Sequence, residues 1–336
     1  MSEVTKIDGI GSSVRRTEDK KFLTGKGRYT DDINRPGQVQ AYFLRSDVAH
    51  AEIKSIDTKA AQSAPGVVGV FTGADIAADK VGGPICGWVV PCRDGSSTKE
   101  PPHPLLAQGK VRFVGDAIAV VLAETAEQAK SGAELIDVDY EELSPVVDFE
   151  NAGDGAQIHD EVPNNCYFDW ELGDESATAD ALDGADKVIE LTVTNNRVIP
   201  NAIEPRAAVA EYDEVEDRYT LYTSSQNPHL TRLVMAAFMM QIPESKLHVV
   251  APDVGGGFGS KIYIYPEEAV CTWAAKKLRK PVKWTADRTQ AFLGDAHGRD
   301  HVNKVKLGLD KNNKIVGLRV DTIANLGAYL SAFSMV

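Results

Sequence analysis

The chain has 336 residues, of which 43% are hydrophobic and 25% are charged, as is typical of a globular protein of about two domains. Its 49 acidic and 36 basic residues give a formal net charge of −13, which argues against nucleic-acid binding because a phosphate backbone is repelled by such a surface. The sequence contains neither an 18-residue apolar run nor a secretory signal, so we expect a cytoplasmic protein without a membrane span.

The first region, to about residue 150, combines short strand-like runs with helical segments. Residues 40–44, 51–56 and 67–72 have the composition of strands, and residues 57–63 have that of a short helix. Residues 82–104 are rich in glycine, proline and cysteine, which predicts a long loop.

A strand–helix–strand signal follows this loop. Residues 117–123 are apolar at every position, as in a strand buried on both faces. Thr125, with Gln128 three residues later, predicts a capped helix start, and residues 135–140 return to a strand-like composition. We therefore predict a β-α-β unit, followed by an acidic linker over residues 141–155.

The second region opens with further predicted strands at residues 187–194, 207–212 and 219–223. Together with the helical segments between them, these strands predict a mixed α/β (α+β) fold. Two strand–loop–helix units come next, and their loops carry the residues best suited to chemistry.

The first of these loops contains Gln226, between the strand at 219–223 and a helix that Asn227 would cap and Pro228 would begin. Ligands of α/β proteins collect where strands end and helices begin, and a glutamine amide can hold an oxo or carbonyl oxygen without adding charge. The alternative is that Gln226 only satisfies the loop backbone. Helical spacing predicts one core-facing side of the helix, formed by Leu230, Leu233, Val234, Ala237 and Phe238.

The second loop, DVGGGFGSK at residues 253–261, follows a predicted strand at residues 247–251. Its glycines permit positive φ and close approach of a ligand, and its N–H groups can surround an oxyanion or phosphate. Ser260 breaks both the P-loop and the dinucleotide-binding patterns. We expect the ring of Phe258 to be held against a partner. The alternative is a sharp turn with no ligand.

Weaker constellations surround the two loops. Glu204 and Arg206 flank Pro205 and suggest a salt bridge at a domain seam. His297 and His301 have the spacing of a helical metal pair, but no acidic ligand set accompanies them, so we predict no metal ligand in the chain.

The cysteines form no C-x-x-C pair, which argues against a zinc ribbon, an iron–sulfur site and a disulfide scaffold. We expect reduced thiols, although Cys86 and Cys92 lie close enough along the loop to meet. The four positions are Cys86, Cys92, Cys166 and Cys271.

Several blocks along the whole chain resemble the molybdenum-binding large subunit of the xanthine dehydrogenase, aldehyde oxidase and aerobic carbon monoxide dehydrogenase family. The pairing of Q-N-P-H with V-G-G-G-F-G-x-K is the most specific match. The blocks, in family order, are GKGRYTDD (25–32), LRSDVAHAEIKSIDT (44–58), PGVVGVFTGADI (65–76), PLLAQGKVRFVGDAIAVVLAET (104–125), ELIDVDYEELSPVVD (134–148), IEPRAAVAEYD (203–213), SSQNPHLTR (224–232) and DVGGGFGSKI (253–262).

The resemblance implies an N-terminal extension over residues 1–20, an α/β hammerhead domain over 21–150, and the first part of the molybdopterin-binding domain over 151–336. In the family, the glutamine that matches Gln226 hydrogen-bonds the apical oxo group of molybdenum, and the phenylalanine that matches Phe258 lies close to the metal. These two are therefore the implied catalytic residues. The resemblance also implies that no protein atom ligates molybdenum directly. The implied cofactor-binding residues are Gln226, Gly255, Gly256, Gly257, Phe258 and Gly259.

The implied reaction is oxidation of carbon monoxide, an aldehyde or an N-heterocycle, with water as the oxygen source. The implied cofactor is molybdenum with molybdopterin cytosine dinucleotide. Because this chain has no cysteine set for a cluster, [2Fe–2S] and FAD are expected on an iron–sulfur small subunit and an FAD medium subunit, in a dimer of heterotrimers.

Departures from the family pattern limit these expectations. The A-Y-R-x-x-x-R substrate loop and the catalytic glutamate of the family are not found here, so we expect a truncated part of the subunit that is inactive alone. Ile262 stands where purine oxidisers tend to have glutamate, which disfavours xanthine. The alternatives are a non-catalytic truncated or split module that only assembles with partner subunits, and a nucleotide-binding dehydrogenase.

Overall fold

A computed structural model describes residues 9–334 of the chain. Within that span the strands are β1 (Val39–Arg45), β2 (Ala51–Asp57), β3 (Val67–Thr72), β4 (Lys110–Val111), β5 (Ala117–Ala123), β6 (Asp137–Glu142), β7 (Lys187–Asn195), β8 (Ala207–Asp213), β9 (Arg218–Thr223), β10 (Leu247–Val250), β11 (Val282–Thr285), β12 (His301–Leu309) and β13 (Ile315–Ala324). The α-helices are α1 (Asp19–Leu23), α2 (Lys59–Gln62), α3 (Gly73–Ala78), α4 (Ala126–Ala133), α5 (Glu175–Asp183), α6 (Pro228–Val234), α7 (Pro266–Leu278) and α8 (Arg288–Gly294). The mixed α/β fold class is confirmed.

A seven-stranded sheet in the order β10-β9-β8-β11-β1-β5-β3 forms the centre of the fold. Strands β1, β3 and β5 come from the first region of the sequence, and the other four come from the second. The two groups join where β1 runs parallel to β11, with Val39 opposite Val282. Sheet and core therefore continue across residue 150, and the proposed domain boundaries at residues 20 and 150 remain predictions.

The hydrophobic core follows this junction. Every residue of β5 is buried, as its unbroken apolar run predicts. Phe43 of β1 packs edge-on against Trp284 of β11 with their ring centroids 5.7 Å apart. Both rings are buried, so their packing fixes the second region against the first. The second region carries the two loops.

The predicted β-α-β unit is wrong, although its three elements exist. Strand β5 pairs antiparallel with β1 and β3 in the central sheet, whereas β6 pairs with β2 in a separate sheet of order β4-β2-β6. The alternating sequence of β6, DVDYEE, suits a half-exposed strand and not a buried place beside β5. The cap of α4 is confirmed, since the Gln128 N–H donates to Thr125 Oγ1 at 3.2 Å.

The predicted core-facing side of the helix after Pro228 is only partly correct. Val234 is buried, but Leu233 and Phe238 are exposed. Helix α6 passes into a π-helical turn at Met235–Met239, and this wider turn rotates the following side chains about the helix axis. As a result Met235 and Met239 fill the core positions that the regular spacing assigns to other residues.

Asp116, which lies just before β5, is 4% exposed and accepts a hydrogen bond from the Arg112 N–H at 3.1 Å. Burial raises the pKa of Asp116 to about 7, against the opposing effects of that hydrogen bond and of nearby arginine charges. The unfolded carboxyl group loses its proton near pH 4, well before the folded one, so this group makes the protein less stable as pH rises from about 4 to 7.

We therefore expect Asp116→Asn to remove part of the pH dependence of stability. Between pH 5 and pH 8 the free energy of unfolding of the wild type should fall by about 1–4 kcal/mol more than that of the variant. Urea unfolding of both proteins at the two pH values measures this difference. Identical pH profiles would show that Asp116 is ionised in the folded protein at pH 5.

Candidate functional site

The two loops singled out from the sequence leave the same edge of the central sheet. Strands β9 and β10 are parallel neighbours, with Leu247 opposite Tyr219, so their carboxyl ends lie side by side. The loop after β9 contains Gln226, and the Asn227 side chain then caps α6 by accepting from the Leu230 N–H at 3.4 Å. The cap at Asn227 and the helix start at Pro228 are confirmed.

Gln226 connects the two loops. Its Oε1 accepts from the Gly259 N–H at 3.0 Å, and its own backbone N–H donates to the Lys261 carbonyl at 2.8 Å. Thus the side-chain oxygen does satisfy loop backbone, as the structural alternative predicts. The Nε2 group donates to no acceptor within residues 9–334, so one side of the exposed amide remains a hydrogen-bond donor.

The glycines of the second loop are required for two different reasons. Gly256 and Gly259 have φ of +100° and +94°, values that favour glycine. Gly257 is required by close approach, since a Cβ there would lie 2.3 Å from Gln226 Oε1. A sharp turn alone would account for the positive φ values, but it gives no reason for the approach of Gly257 to Gln226.

Phe258 lies between these glycines with φ of +50° and is 75% exposed. The expectation that its ring is held against a partner is not met, because the ring is mostly exposed; one ring edge lies over Gly256, where an added Cβ would come within 2.9 Å of it. A non-glycine residue in this conformation costs about 1–3 kcal/mol, and exposure of a large ring adds to that cost. Strain of this kind is characteristic of ligand-binding positions.

Three consecutive backbone N–H groups, those of Gly256, Gly257 and Phe258, donate to no acceptor in the described span. Of these residues, Gly257 lies against the Gln226 side chain, because a Cβ there would come within 2.3 Å of Oε1. A run of unpaired N–H groups in a glycine-rich loop is suited to oxygen-rich acceptors such as phosphate or oxo groups. The site therefore presents a set of neutral hydrogen-bond donors.

Acidic side chains fix the start of the glycine loop. Asp253 accepts from the Arg28 N–H at 2.7 Å and from Lys21 Nζ at 2.6 Å. Glu204 Oε2 accepts from the Gly255 N–H at 2.7 Å and from Lys261 Nζ at 2.8 Å. Glu204 and Lys261 were missed as site residues, because their separation of 57 positions gives no local signal.

Both charges of Glu204-Pro205-Arg206 form salt bridges, as the sequence suggested, but with partners elsewhere in the chain and not with each other. Arg206 points away from Glu204 and binds Glu267 Oε2 at 2.9 Å and Asp295 Oδ1 at 2.6 Å. Arg45 of β1 also reaches Glu267, at 2.5 Å. Each charge of the tripeptide therefore has its own partner, and the arginine belongs to a network that joins β1 to α7.

This buried network contacts a residue at the end of the glycine loop. Burial by itself raises the pKa of Glu267, but Arg206 and Arg45 outweigh that effect and hold the pKa well below its usual range. The guanidinium of Arg206 stacks 3.6 Å from the ring of Tyr265, whose hydroxyl donates to the Ser260 carbonyl at 2.6 Å. The network thus contacts the end of the glycine loop through Tyr265.

The remaining sequence candidates lie elsewhere. His297 and His301 do not share a helix, because His297 lies in a loop and His301 begins β12. No group of three or more His, Cys, Asp or Glu side chains suited to a metal ion occurs among residues 9–334. Cys86 and Cys92 are free thiols, as are Cys166 and Cys271.

In the part of the chain that the structure covers, no helix combines the length and the apolar character needed to cross a membrane.

Comparisons with known proteins identify both halves of the chain. The family model described as the molybdopterin cofactor-binding domain matches residues 158–336. The family model of the aldehyde oxidase and xanthine dehydrogenase a/b hammerhead domain matches residues 24–144.

Similar proteins align along nearly the whole chain. The nicotine 6-hydroxylase large subunit of Paenarthrobacter nicotinovorans is 34% identical over 323 residues, which cover 95% of this chain and 38% of the relative. The carbon monoxide dehydrogenase large chain of Afipia carboxidovorans is 34% identical over 338 residues, covering 96% and 40%. Quinoline 2-oxidoreductase from Pseudomonas putida superposes with a TM-score of 0.84 at 35% identity, covering 96% and 40%. The chain therefore spans about 40% of the length of these relatives.

Proposed function

Since the chain belongs to the family of molybdopterin-binding subunits that includes those of xanthine dehydrogenase and carbon monoxide dehydrogenase, we propose that it forms part of a molybdenum oxidoreductase acting on a small substrate. The observation that carries the proposal is the contact between Gln226 and the glycine loop, which leaves the Gln226 Nε2 and the N–H groups of Gly256, Gly257 and Phe258 as donors. Oxo groups on molybdenum and the phosphate of the pterin are acceptors, so the donors match the cofactor.

These residues would hold the cofactor by hydrogen bonds alone. When bound, the cofactor would supply the two-electron chemistry that no side chain here provides. Gln226 and the loop from Gly255 to Gly259 would orient it without adding charge. The ring of Phe258 would exclude water from one side of the donors, which strengthens each hydrogen bond.

The substrate class and the oxygen source are part of the same proposal. We infer that the substrate is carbon monoxide, an aldehyde or an N-heterocycle and that the oxygen comes from water. Relatives named for nicotine and quinoline support the heterocycle, and another named for carbon monoxide supports the gas. At its own position Ile262 supplies an apolar side chain where a carboxylate would suit a purine, which argues against a purine substrate.

We further infer that the cofactor is the cytosine dinucleotide form and that electrons leave to an iron–sulfur small subunit and an FAD medium subunit, in a dimer of heterotrimers. The relatives' designations as a large subunit and a large chain support partner subunits. The free and scattered cysteines among residues 9–334 also support placing the clusters outside these residues.

We expect the 336-residue chain purified alone to contain well under one molybdenum per chain and to be inactive. The described residues offer hydrogen-bond donors to only part of the proposed cofactor, so we expect other polypeptide segments to be needed to hold it. Metal analysis by mass spectrometry measures the ratio. One tightly held molybdenum per isolated chain would contradict the expectation that other polypeptide segments complete the site.

The alternative is a non-catalytic module that only assembles with partners. An unpaired set of donors beside a strained Phe258 favours the catalytic role, because assembly requires neither feature. Co-expression with the C-terminal part of a relative's large subunit and its partner subunits separates the two roles. Dye reduction restored by the wild type supports the enzyme, and assembly without dye reduction supports the module. Tight NAD binding in calorimetry would instead indicate a nucleotide-binding dehydrogenase.

A further inference from the structure

We propose that Glu204 and Lys261 are positioning residues that fix the glycine loop and the Gln226 loop relative to each other. The inference rests on the proposed function, since it concerns the same two loops. A single oxygen, Glu204 Oε2, accepts from the Gly255 N–H at 2.7 Å and from Lys261 Nζ at 2.8 Å. It thereby joins the first residue of the glycine run to the residue that follows Ser260.

Lys261 extends the connection to the other loop. Its carbonyl oxygen accepts from the Gln226 N–H at 2.8 Å and from the Ser225 hydroxyl at 3.5 Å. The order of contacts is therefore Gly255, Glu204, Lys261, Gln226. Through these contacts the Glu204 carboxylate sets the distance between Gly255 and the backbone of Gln226.

The loop needs such a restraint because it has little structure of its own. Within it the backbone makes the Ser260 N–H to Gly257 carbonyl bond at 3.0 Å, while Gly256 and Phe258 have positive φ. Ordering each residue costs about 1–2 kcal/mol of conformational entropy, and glycine costs the most. Holding both ends on one carboxylate oxygen lowers the number of loop conformations without occupying the free N–H groups between them.

The charges explain why the pair is well ordered. Lys261 is 2% exposed, and Glu204 is the carboxylate that its ammonium contacts. Burial lowers the pKa of Lys261, while Glu204 and the more distant Asp295 oppose that effect and Arg206 adds to it. An ammonium buried to this extent is strongly disfavoured without its partner, so the position of Lys261 depends on that of Glu204.

Glu204 also carries an unused group. Its Oε1 is buried and accepts no hydrogen bond from residues 9–334. Leaving a buried charged oxygen unpaired is costly, and it indicates that this carboxylate is placed for its loop contacts and not for maximal hydrogen bonding.

Hydrogen exchange of the full 336-residue chain tests the proposal without any cofactor. We expect Glu204→Ala to accelerate exchange of the Gly255 and Gln226 amides by about 10- to 100-fold, while amides of β5 remain protected. The matched control is Asp79→Asn, which removes a carboxylate bound to Trp273 and Lys277 away from the loops. The control should leave exchange of both loop amides unchanged.

The isosteric Glu204→Gln and Lys261→Met variants, alone and combined, test the pair even where Glu204→Ala does not fold. Each single variant leaves one buried charge unpaired, whereas the double variant leaves none. Its loop amides should therefore exchange about tenfold more slowly than they would if the accelerations caused by the two single variants simply multiplied. The proposal would be overturned if exchange at Gly255 and Gln226 were unchanged in every Glu204 variant. It would also be overturned if the accelerations of the two single variants simply multiplied in the double variant.

Molybdenum content of the assembled enzyme separates this inference from the proposed function. If both hold, Glu204→Ala accelerates loop exchange and lowers molybdenum per chain. Accelerated exchange with full molybdenum retention would leave the positioning role intact and count against the loops as the cofactor site.

Discussion

Glu267→Gln should lower the free energy of unfolding by about 3–5 kcal/mol, because it removes the negative charge that Arg45 and Arg206 share in a buried site. Glu267 is 2% exposed and binds both Arg206 and Arg45. The network joins β1 to α7, so we expect the loss to appear in global unfolding by urea at pH 7. The matched control is Glu211→Gln, which breaks a half-buried pair with Arg35 and should cost about 1 kcal/mol or less.

The pH dependence of the Glu267→Gln effect follows from the lowered pKa of Glu267. A carboxyl group whose pKa is depressed in the folded protein contributes stability above its ordinary pKa of about 4.3, and this contribution is lost as pH falls. The stability difference between wild type and variant should therefore shrink progressively as pH falls below about 4, toward the lowered pKa of the folded Glu267 carboxyl. Equal stability of the two proteins at pH 7 would show that the network contributes nothing net.

The second large effect is expected at Gln226 in the assembled enzyme. Alanine there removes the free Nε2 donor and the acceptor of the Gly259 N–H. Removal of one preorganised donor at a reacting centre typically lowers kcat by about 10²–10³-fold, and we expect a loss of that size after normalisation to molybdenum content. Thermal unfolding should change little, because the Gln226 side chain is exposed.

Gly257→Ala tests the same geometry from the other loop. A Cβ there would lie 2.3 Å from Gln226 Oε1, so the amide must move. We expect a loss of kcat similar in direction to that of Gln226→Ala. The control is Gln241→Ala, whose side chain donates to the Lys80 carbonyl outside the site. If the Gln226→Ala enzyme kept the wild-type kcat, Gln226 would not be a catalytic residue.

Local pattern was enough to locate most elements and both loops. The unbroken apolar run of β5, the Thr125 cap and the Asn227-Pro228 helix start were all predicted, since each depends on residues a few positions apart. The place of a strand in a sheet depends instead on distant partners. The pairing of β6 with β2 was therefore missed, as was the parallel contact of β1 with β11.

The same limit applies to the site. Gln226 and the glycine run were found because strand ends, caps and glycines leave local signals. Glu204 and Lys261 are separated by 57 positions, and Glu267 meets Arg45 across 222, so their pairing has no local pattern. Glu267 lies in the first turn of α7, where an acidic residue has an ordinary local role, but the fold places it in a buried network. Similarly, no periodicity predicts the π-helical turn that exposes Phe238.

Hydrogen exchange at the Gly256, Gly257 and Phe258 amides, compared between cofactor-loaded and cofactor-free assembled enzyme, tests the central claim most directly. These N–H groups have no acceptor within residues 9–334, so protection on loading must come from a new partner. We predict protection of these amides on loading, with no change at Gly95, an amide in an unrelated turn. Unchanged exchange at all three amides in a fully loaded enzyme would place the cofactor elsewhere and contradict the account.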